Sequence, residues 1–92
     1  MTKRTLFALG QVVCTKNALQ FAEAEHIDLF ALLARHHSGD WGDIGEENRE
    51  SNEQALQMQL RILSSYSFSK NKIWIITEED RSVTTILLPS DY

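Results

Sequence analysis

The chain has one cysteine, one proline and four glycines among its 92 residues, and it has no long apolar run. A single cysteine, Cys14, cannot form an internal disulfide or supply a multi-cysteine metal site, and this usage is typical of a reducing compartment. No stretch approaches the roughly 20 apolar residues that a membrane-spanning helix needs. The sequence therefore predicts a cytoplasmic protein that does not enter a membrane.

Basic residues are also few, since 9 Lys and Arg side chains stand against 13 Asp and Glu and give a net charge of -4. A broad phosphate-binding surface needs an excess of positive charge, so we do not expect direct nucleic-acid binding. Hydrophobic residues make up 42% of the chain, which excludes a disordered protein. We expect one small domain over residues 1–92, too short to hold a separate cofactor-binding half, and therefore no cofactor.

Hydrophobic patterning predicts an α+β fold. The apolar run over residues 5–14 ends in β-branched residues and indicates a buried N-terminal strand or an extended arm, in which Cys14 is inert packing. Apolar spacings of three and four indicate a helix that begins near Thr15 and ends near His26. A second, strongly apolar helix follows, with Asp28 as its N-cap and Gly39 as its left-handed terminating residue.

The second half of the chain begins with a glycine-rich loop over residues 38–45. Residues 46–57 favour a single polar helix, although the capping-box spacing of Ser51 and Gln54 also allows a turn followed by a shorter helix. The last third is rich in β-branched and aromatic residues and predicts a three-stranded antiparallel meander. Its strands are expected over residues 60–68, 73–77 and 82–88, with polar turns over 69–72 and 78–81.

Acidic residues are concentrated in the segment 40–53, which has six carboxylates against one basic side chain, while the rest of the chain is almost neutral. One interpretation is a solvated helix face with favourable acids in its first turn. The other is an acidic surface that binds a basic protein partner. The candidate acidic surface consists of Glu46, Glu47, Glu50 and Glu53.

The loop before this helix is the second candidate, and its candidate residues are His37, Asp40, Trp41 and Asp43. A histidine with two aspartates and a nearby glutamate can bind Mn or Fe, although His36 and His37 cannot both point the same way on a helix. These polar groups equally suit hydrogen bonds to the loop backbone, so the sequence leaves a metal site undecided. We expect the basic residues at 35–37 to stabilise the end of the helix dipole.

Two further features concern the meander. Its second turn carries Asp80 and Arg81, and Arg81 could reach the acidic segment and form an ion pair there. Trp74 alternates with Ile73 and Ile75 and therefore lies on the opposite face of the sheet. If the helices cover only one face, the other is exposed or packs against a second copy, which would make a homodimer.

Several segments together resemble a family of small plasmid-related proteins found on bacterial plasmids, integrative elements and related mobile DNA. The resemblance covers residues 6–92 and lies in the stretches HSGDWGD, RILSSY, WIITEEDRS and TTILLP. Some members are labelled as a type I restriction methylation subunit. Such a subunit needs a cofactor-binding α/β domain and a motif such as Asn-Pro-Pro-Phe, and this sequence has neither. The resemblance therefore implies a mobile-element setting rather than an activity.

The function predicted from these observations is that of a non-enzymatic interaction protein of mobile DNA. It would present the acidic loop and helix to a protein partner and act in counter-defence or regulation. The alternative is a small metal-dependent hydrolase or nuclease that uses His37, Asp40 and Asp43, which requires those three side chains to meet at one ion.

Overall fold

The computed structural model describes residues 5–92, and the part of the single-domain prediction that covers residues 1–4 lies outside them. The helices are α1 (Lys16–Glu25), α2 (Leu29–His37) and α3 (Glu46–Met58). The strands are β1 (Gln11–Cys14), β2 (Ile62–Ser67), β3 (Lys72–Thr77) and β4 (Val83–Leu87), and a 3-10 turn over Pro89–Asp91 follows. This is the predicted α+β fold, and α3 is one continuous helix. None of the helices in residues 5–92 is long and apolar enough to cross a membrane.

The four strands form one mixed sheet in the order β1-β4-β3-β2. Strands β2, β3 and β4 are the predicted antiparallel meander. The sheet has four strands rather than three because β1 joins it, parallel to β4.

Of the two alternatives for residues 5–14, the buried strand is wrong in length and in burial. The strand covers only Gln11–Cys14, and all four residues are exposed because β1 is an edge of the sheet. Gly10 precedes it with a φ of 65°, and a Cβ there would collide with the carbonyl of Ser82. The chain before Gly10 therefore leaves the sheet, and Cys14 is an exposed thiol rather than core packing.

Side chains cap the first two helices as their sequences suggest. The hydroxyl of Thr15 accepts a hydrogen bond from the backbone N–H of Ala18 at the start of α1. The carboxylate of Asp28 accepts from the N–H groups of Phe30 and Ala31 at the start of α2. Each cap satisfies donors that have no partner within the helix.

The core lies between the helices and one face of the sheet. The larger cluster of buried residues joins Ala18 of α1 and Leu32 of α2 to inward-facing residues of the meander, namely Tyr66, Ile73, Ile75, Ile86 and Leu88. A smaller cluster joins Ala55 of α3 to Trp41 and Ile62.

The opposite face of the sheet carries Trp74, Ile76 and Leu87, as the strand register requires. None of these three belongs to the two core clusters found within residues 5–92. Ile76 and Leu87 are nonetheless only 5% exposed. Tyr92 packs edge-on against Trp74 at a ring distance of 5.9 Å, and Trp74 is half-buried. Tyr92 therefore covers part of this face at Trp74.

The β2 edge of the sheet is closed by side chains and loop backbone. The amide of Asn52 in α3 donates to the carbonyl of Leu63 at 2.7 Å and accepts from its N–H at 3.1 Å. Further along the strand, the N–H of Ser65 donates to the Trp41 carbonyl, and its carbonyl accepts from the N–H of Asp43. An edge strand is a template for unwanted pairing, and these contacts occupy it.

Replacement of Asn52 by alanine is expected to lower the free energy of unfolding by about 1–3 kcal/mol, because it leaves the Leu63 N–H and carbonyl without their partner. Asn48→Ala is the matched control, since Asn48 is exposed on the same helix and the change in helix propensity is the same. Urea denaturation of both variants measures the difference. Equal stability of the two variants would contradict a stabilising role of Asn52 at the sheet edge.

Candidate functional site

The loop between α2 and α3 has its path set by two left-handed glycines. Gly39 has a φ of 92° and Gly42 a φ of 77°. A Cβ on Gly42 would collide with the Ser65 carbonyl and the Tyr66 ring, so the glycine permits close approach to β2. The predicted left-handed residue after α2 is confirmed at Gly39.

His37 and Asp43 hold the two ends of this loop. The Nε2–H of His37 donates to the Phe7 carbonyl at 2.7 Å, because a carbonyl can only accept. The Oδ2 atom of Asp43 accepts from the N–H of Ser67 at 3.1 Å. The imidazole therefore ties the loop to the N-terminal segment, and the carboxylate ties it to the far end of β2.

Asp40 forms an ion pair with Arg35, in which Nε lies 2.8 Å from Oδ2. This hydrogen bond raises the pKa of the Arg35 guanidinium further. The backbone carbonyl of Asp40 accepts from the hydroxyl of Tyr66 at 2.6 Å. Burial raises the pKa of Tyr66 to about 12, so this phenol remains a hydrogen-bond donor at neutral pH.

Trp41 anchors the loop in the core and is only 4% exposed. Its indole N–H donates to the Oε2 atom of Glu53 at 3.0 Å, which links the loop to α3. Its ring also contacts Phe7 and His36. Beside it, an open cleft of about 510 Å³ separates the loop from α3 and is lined by Gly39, Asp40, Trp41, Gly42, Arg49 and Glu53.

His37, Asp40 and Asp43 do not converge on one point, because each makes contacts with a different part of the fold. Within residues 5–92 there is no group of three or more His, Cys, Asp or Glu side chains that could hold a metal ion. The geometry that the hydrolase hypothesis requires is thus not formed by these three residues.

The members of the acidic surface, by contrast, are all exposed along α3. The two ion pairs among residues 5–92 are Arg35 with Asp40 and Lys70 with Glu25, and neither includes Glu46, Glu47, Glu50 or Glu53. Of these four, only Glu53 has a side-chain hydrogen bond within residues 5–92, from Trp41.

Asp80 and Arg81 form the turn between β3 and β4. Asp80 accepts from the hydroxyl and the N–H of Ser82, and these bonds, the hydroxyl first, lower its pKa. Arg81 has a left-handed φ of 60° and reaches the C-terminal end of α3. It donates to the carbonyls of Leu60 at 2.6 Å and Ala55 at 2.9 Å. The predicted ion pair with the acidic segment is therefore replaced by hydrogen bonds to backbone carbonyls.

The feature that the sequence analysis missed is a buried hydrogen-bond chain through His36. Its Nδ1 atom lies 2.5 Å from Ser64 Oγ, and its Nε2 atom lies 2.9 Å from Thr77 Oγ1. Thr77 Oγ1 is 2.8 Å from Thr84 Oγ1, which donates to the Leu9 carbonyl at 2.7 Å. The four side chains are all fully buried.

The Leu9 carbonyl fixes the direction of every bond in this chain. Thr84 gives its only hydroxyl proton to that carbonyl, so it must accept from Thr77. Thr77 must then accept from Nε2–H of His36, and the ring's Nδ1 atom accepts from Ser64. His36 is therefore the neutral Nε2–H tautomer.

Burial, and secondarily the neighbouring His37, lower the pKa of His36 from 6.5 to about 3. The expectation that His36 is a cation at the end of the helix dipole is thus wrong. The residue lies three and four positions after Leu33 and Leu32 of α2, and this spacing was the available signal that it faces the core.

A scan against family models finds no match to this chain, and searches of the curated proteins and of the solved structures find no significantly similar protein.

The free energy of unfolding is expected to fall as the pH is lowered below about 6.5, because the unfolded chain binds a proton at His36 before the folded chain does. One such group contributes a slope of at most about 1.4 kcal/mol per pH unit. Asp80 and Asp91 have pKa values lowered from 3.8, so their effect begins at lower pH. Denaturant unfolding between pH 7 and pH 4.5 separates the two contributions.

The variant His36→Gln keeps one donor and one acceptor. We expect it to have a lower free energy of unfolding at pH 7, and this free energy should not change between pH 6.5 and 4.5. His37→Gln serves as the control for the removal of a histidine. If His36→Gln keeps the slope of the unaltered protein, His36 is not the group responsible.

Proposed function

We propose that this chain is a small non-enzymatic interaction protein of bacterial mobile DNA and that its acidic surface binds a basic protein partner. The mobile-DNA setting rests on the resemblance of the loop, β2, β3 and β4 segments. The observation that carries the binding proposal is the exposure of four glutamates on α3 that lack a basic partner among residues 5–92.

Stabilisation of the helix dipole explains the positions of only two of these four glutamates. Glu46 and Glu47 lie in the first turn of α3, where negative charge is favourable. Glu50 and Glu53 lie beyond that turn, and Glu50 is four residues from Glu46. Like charges at this spacing destabilise a helix by roughly 0.2–0.5 kcal/mol. Binding of positive charge would offset this repulsion.

The cleft beside Trp41 supports the same partner chemistry. The charged side chains of its walls are Asp40, Glu53 and Arg49, and Asp40 is paired with Arg35. Glu53 is the carboxylate there that a lysine or arginine of the partner would bind. The indole N–H of Trp41 already holds Glu53 in place, which lowers the entropy lost when that carboxylate binds.

The test compares two triple variants with the same change in net charge. The first is Glu46→Gln with Glu47→Gln and Glu50→Gln on the acidic surface. The control neutralises three other acids, Glu23, Glu78 and Glu79, in the same way. Proteins retained from a bacterial lysate by the unaltered chain are identified, and the affinity of the purified partner is measured for all three forms.

We expect the acidic-surface variant to bind the partner at least ten times more weakly, because the attraction between opposite charges at the interface is lost, while the control binds as the unaltered chain does. The affinity of the unaltered chain should also fall as salt is added. If every retained protein binds the acidic-surface variant as well as the control, the proposed surface is wrong.

A further inference from the structure

The two edges of the sheet differ in what covers them. Asn52 and the loop occupy the outer side of β2. The N–H groups of Gln11 and Thr15 bond to β4, so those of the alternate residues, Val12 and Cys14, point away from the sheet. Within residues 5–92, no strand neighbours β1 on that side.

The residues of β1 themselves lack two common protections against pairing. Strand β1 carries no charged residue and no proline over its four positions. Such residues are the common means by which proteins block an edge strand. An occupant that supplies an extended backbone would satisfy the outward N–H and C=O groups of Val12 and Cys14.

An uncharged apolar groove of about 340 Å³ adjoins this edge and is lined by Val12, Val13, Cys14, Leu19, Leu29, Phe30, Leu33 and Ile86. Phe30 is 84% exposed and Leu19 is 48% exposed. Exposed apolar side chains of this size beside an open strand mark an interaction surface. Their burial would add hydrophobic stabilisation to the backbone hydrogen bonds.

The distribution of charge makes this edge the part of the molecule that a second copy of this chain can approach. The chain has a net charge of -4, so two copies repel each other over most of their surface. The acidic surface lies on α3, which packs at the β2 edge, whereas β1 and its groove are uncharged and lie at the other edge. Contact through β1 keeps the two acidic surfaces far apart.

We propose that two copies pair antiparallel through β1 about a two-fold axis at Val13. In this register Val12 lies opposite Cys14 of the second copy, and the two residues exchange hydrogen bonds through their outward groups. Val13 faces Val13 of the second copy in a non-hydrogen-bonded pair, where Cα atoms are about 4.5 Å apart. The sheet becomes continuous over eight strands, and both acidic surfaces remain open.

The first test measures the mass of the protein in solution. One chain has a mass of 10.5 kDa. Analytical ultracentrifugation should give twice this mass for the unaltered protein. Val13→Lys places two lysines opposite each other at the axis and should raise the dimer dissociation constant at least tenfold. Gln11→Lys is the matched control on the same strand and face, and it should remain a dimer because it lies off the axis. Circular dichroism verifies that both variants fold.

The second test uses disulfide formation in a Cys14→Ser background. Val13→Cys should form a disulfide-linked dimer under mild oxidation, because opposed residues at this distance meet the geometric requirement. Gln11→Cys should not form this disulfide, because the Gln11 positions of the two copies are four residues apart along the paired strands.

Either of two results overturns the proposal: a monomer for the unaltered protein at all concentrations, or a dimer that Val13→Lys does not weaken. A peptide or another protein as the true occupant of β1 gives the first of these results. Loss of partner binding in the acidic-surface variant without a change of mass would bear on the proposed function alone.

Discussion

The buried hydrogen-bond chain from the Leu9 carbonyl to Ser64 is the constraint on which the rest of the structure depends. It crosses the N-terminal segment, β4, β3, α2 and β2. Each hydroxyl has one proton, so every member has one possible direction of donation. Within residues 5–92 no buried side-chain nitrogen or oxygen lacks a partner. A shift of α2 along the sheet would leave several of these groups unpaired at once, and each unpaired group is costly.

The position of α2 in turn determines what the loop can do. Because His36 is fixed over the sheet, the loop begins close enough to β2 for Trp41 and Asp43 to pair with Ser65. The charged and polar groups of the loop are used to hold its backbone and to close the sheet edge. Within residues 5–92, the side chains of the acidic surface make one hydrogen bond, that of Glu53 with Trp41. In the sequence, the acidic residues of the loop and of α3 form one segment. Their contacts differ, because the loop side chains bind backbone groups and the α3 side chains are exposed.

Local signals in the sequence predicted the local structure well. The cap at Asp28, the left-handed Gly39 and the continuous helix α3 each depend on residues a few positions apart. The meander likewise follows from alternation and polar turns. What could not be predicted was the pairing of β1 with β4, since their contact spans about 70 residues of chain and nothing in the sequence of β1 specifies a partner. An apolar four-residue strand looks the same at the centre of a sheet and at its edge.

The candidate site shows the same division between local and distant contacts. The sequence identifies which residues are polar, but it does not indicate which carbonyls they meet. Arg81 reaches Ala55 and Leu60, and His37 reaches Phe7, and in each case the acceptor is a backbone atom that any residue would supply. His36 is a partial exception because its helical spacing from Leu32 and Leu33 marks the core face. Its partners Ser64 and Thr77, and Thr84 beyond Thr77, lie on three different strands and become neighbours only through the register of the sheet.

The acidic surface and the β1 edge differ in charge, so the two proposed associations depend on different forces. Attraction at the acidic surface is screened by salt, with a Debye length of about 8 Å at physiological ionic strength. Contact along β1 depends on backbone hydrogen bonds and apolar burial, and screening also weakens the repulsion between two negatively charged copies. Added salt would therefore weaken the proposed binding of a basic partner and favour the proposed dimer. A dimer formed through β1 would carry two acidic surfaces at its outer ends, and a partner with two basic sites would bind both with a gain in avidity wherever its span matches theirs.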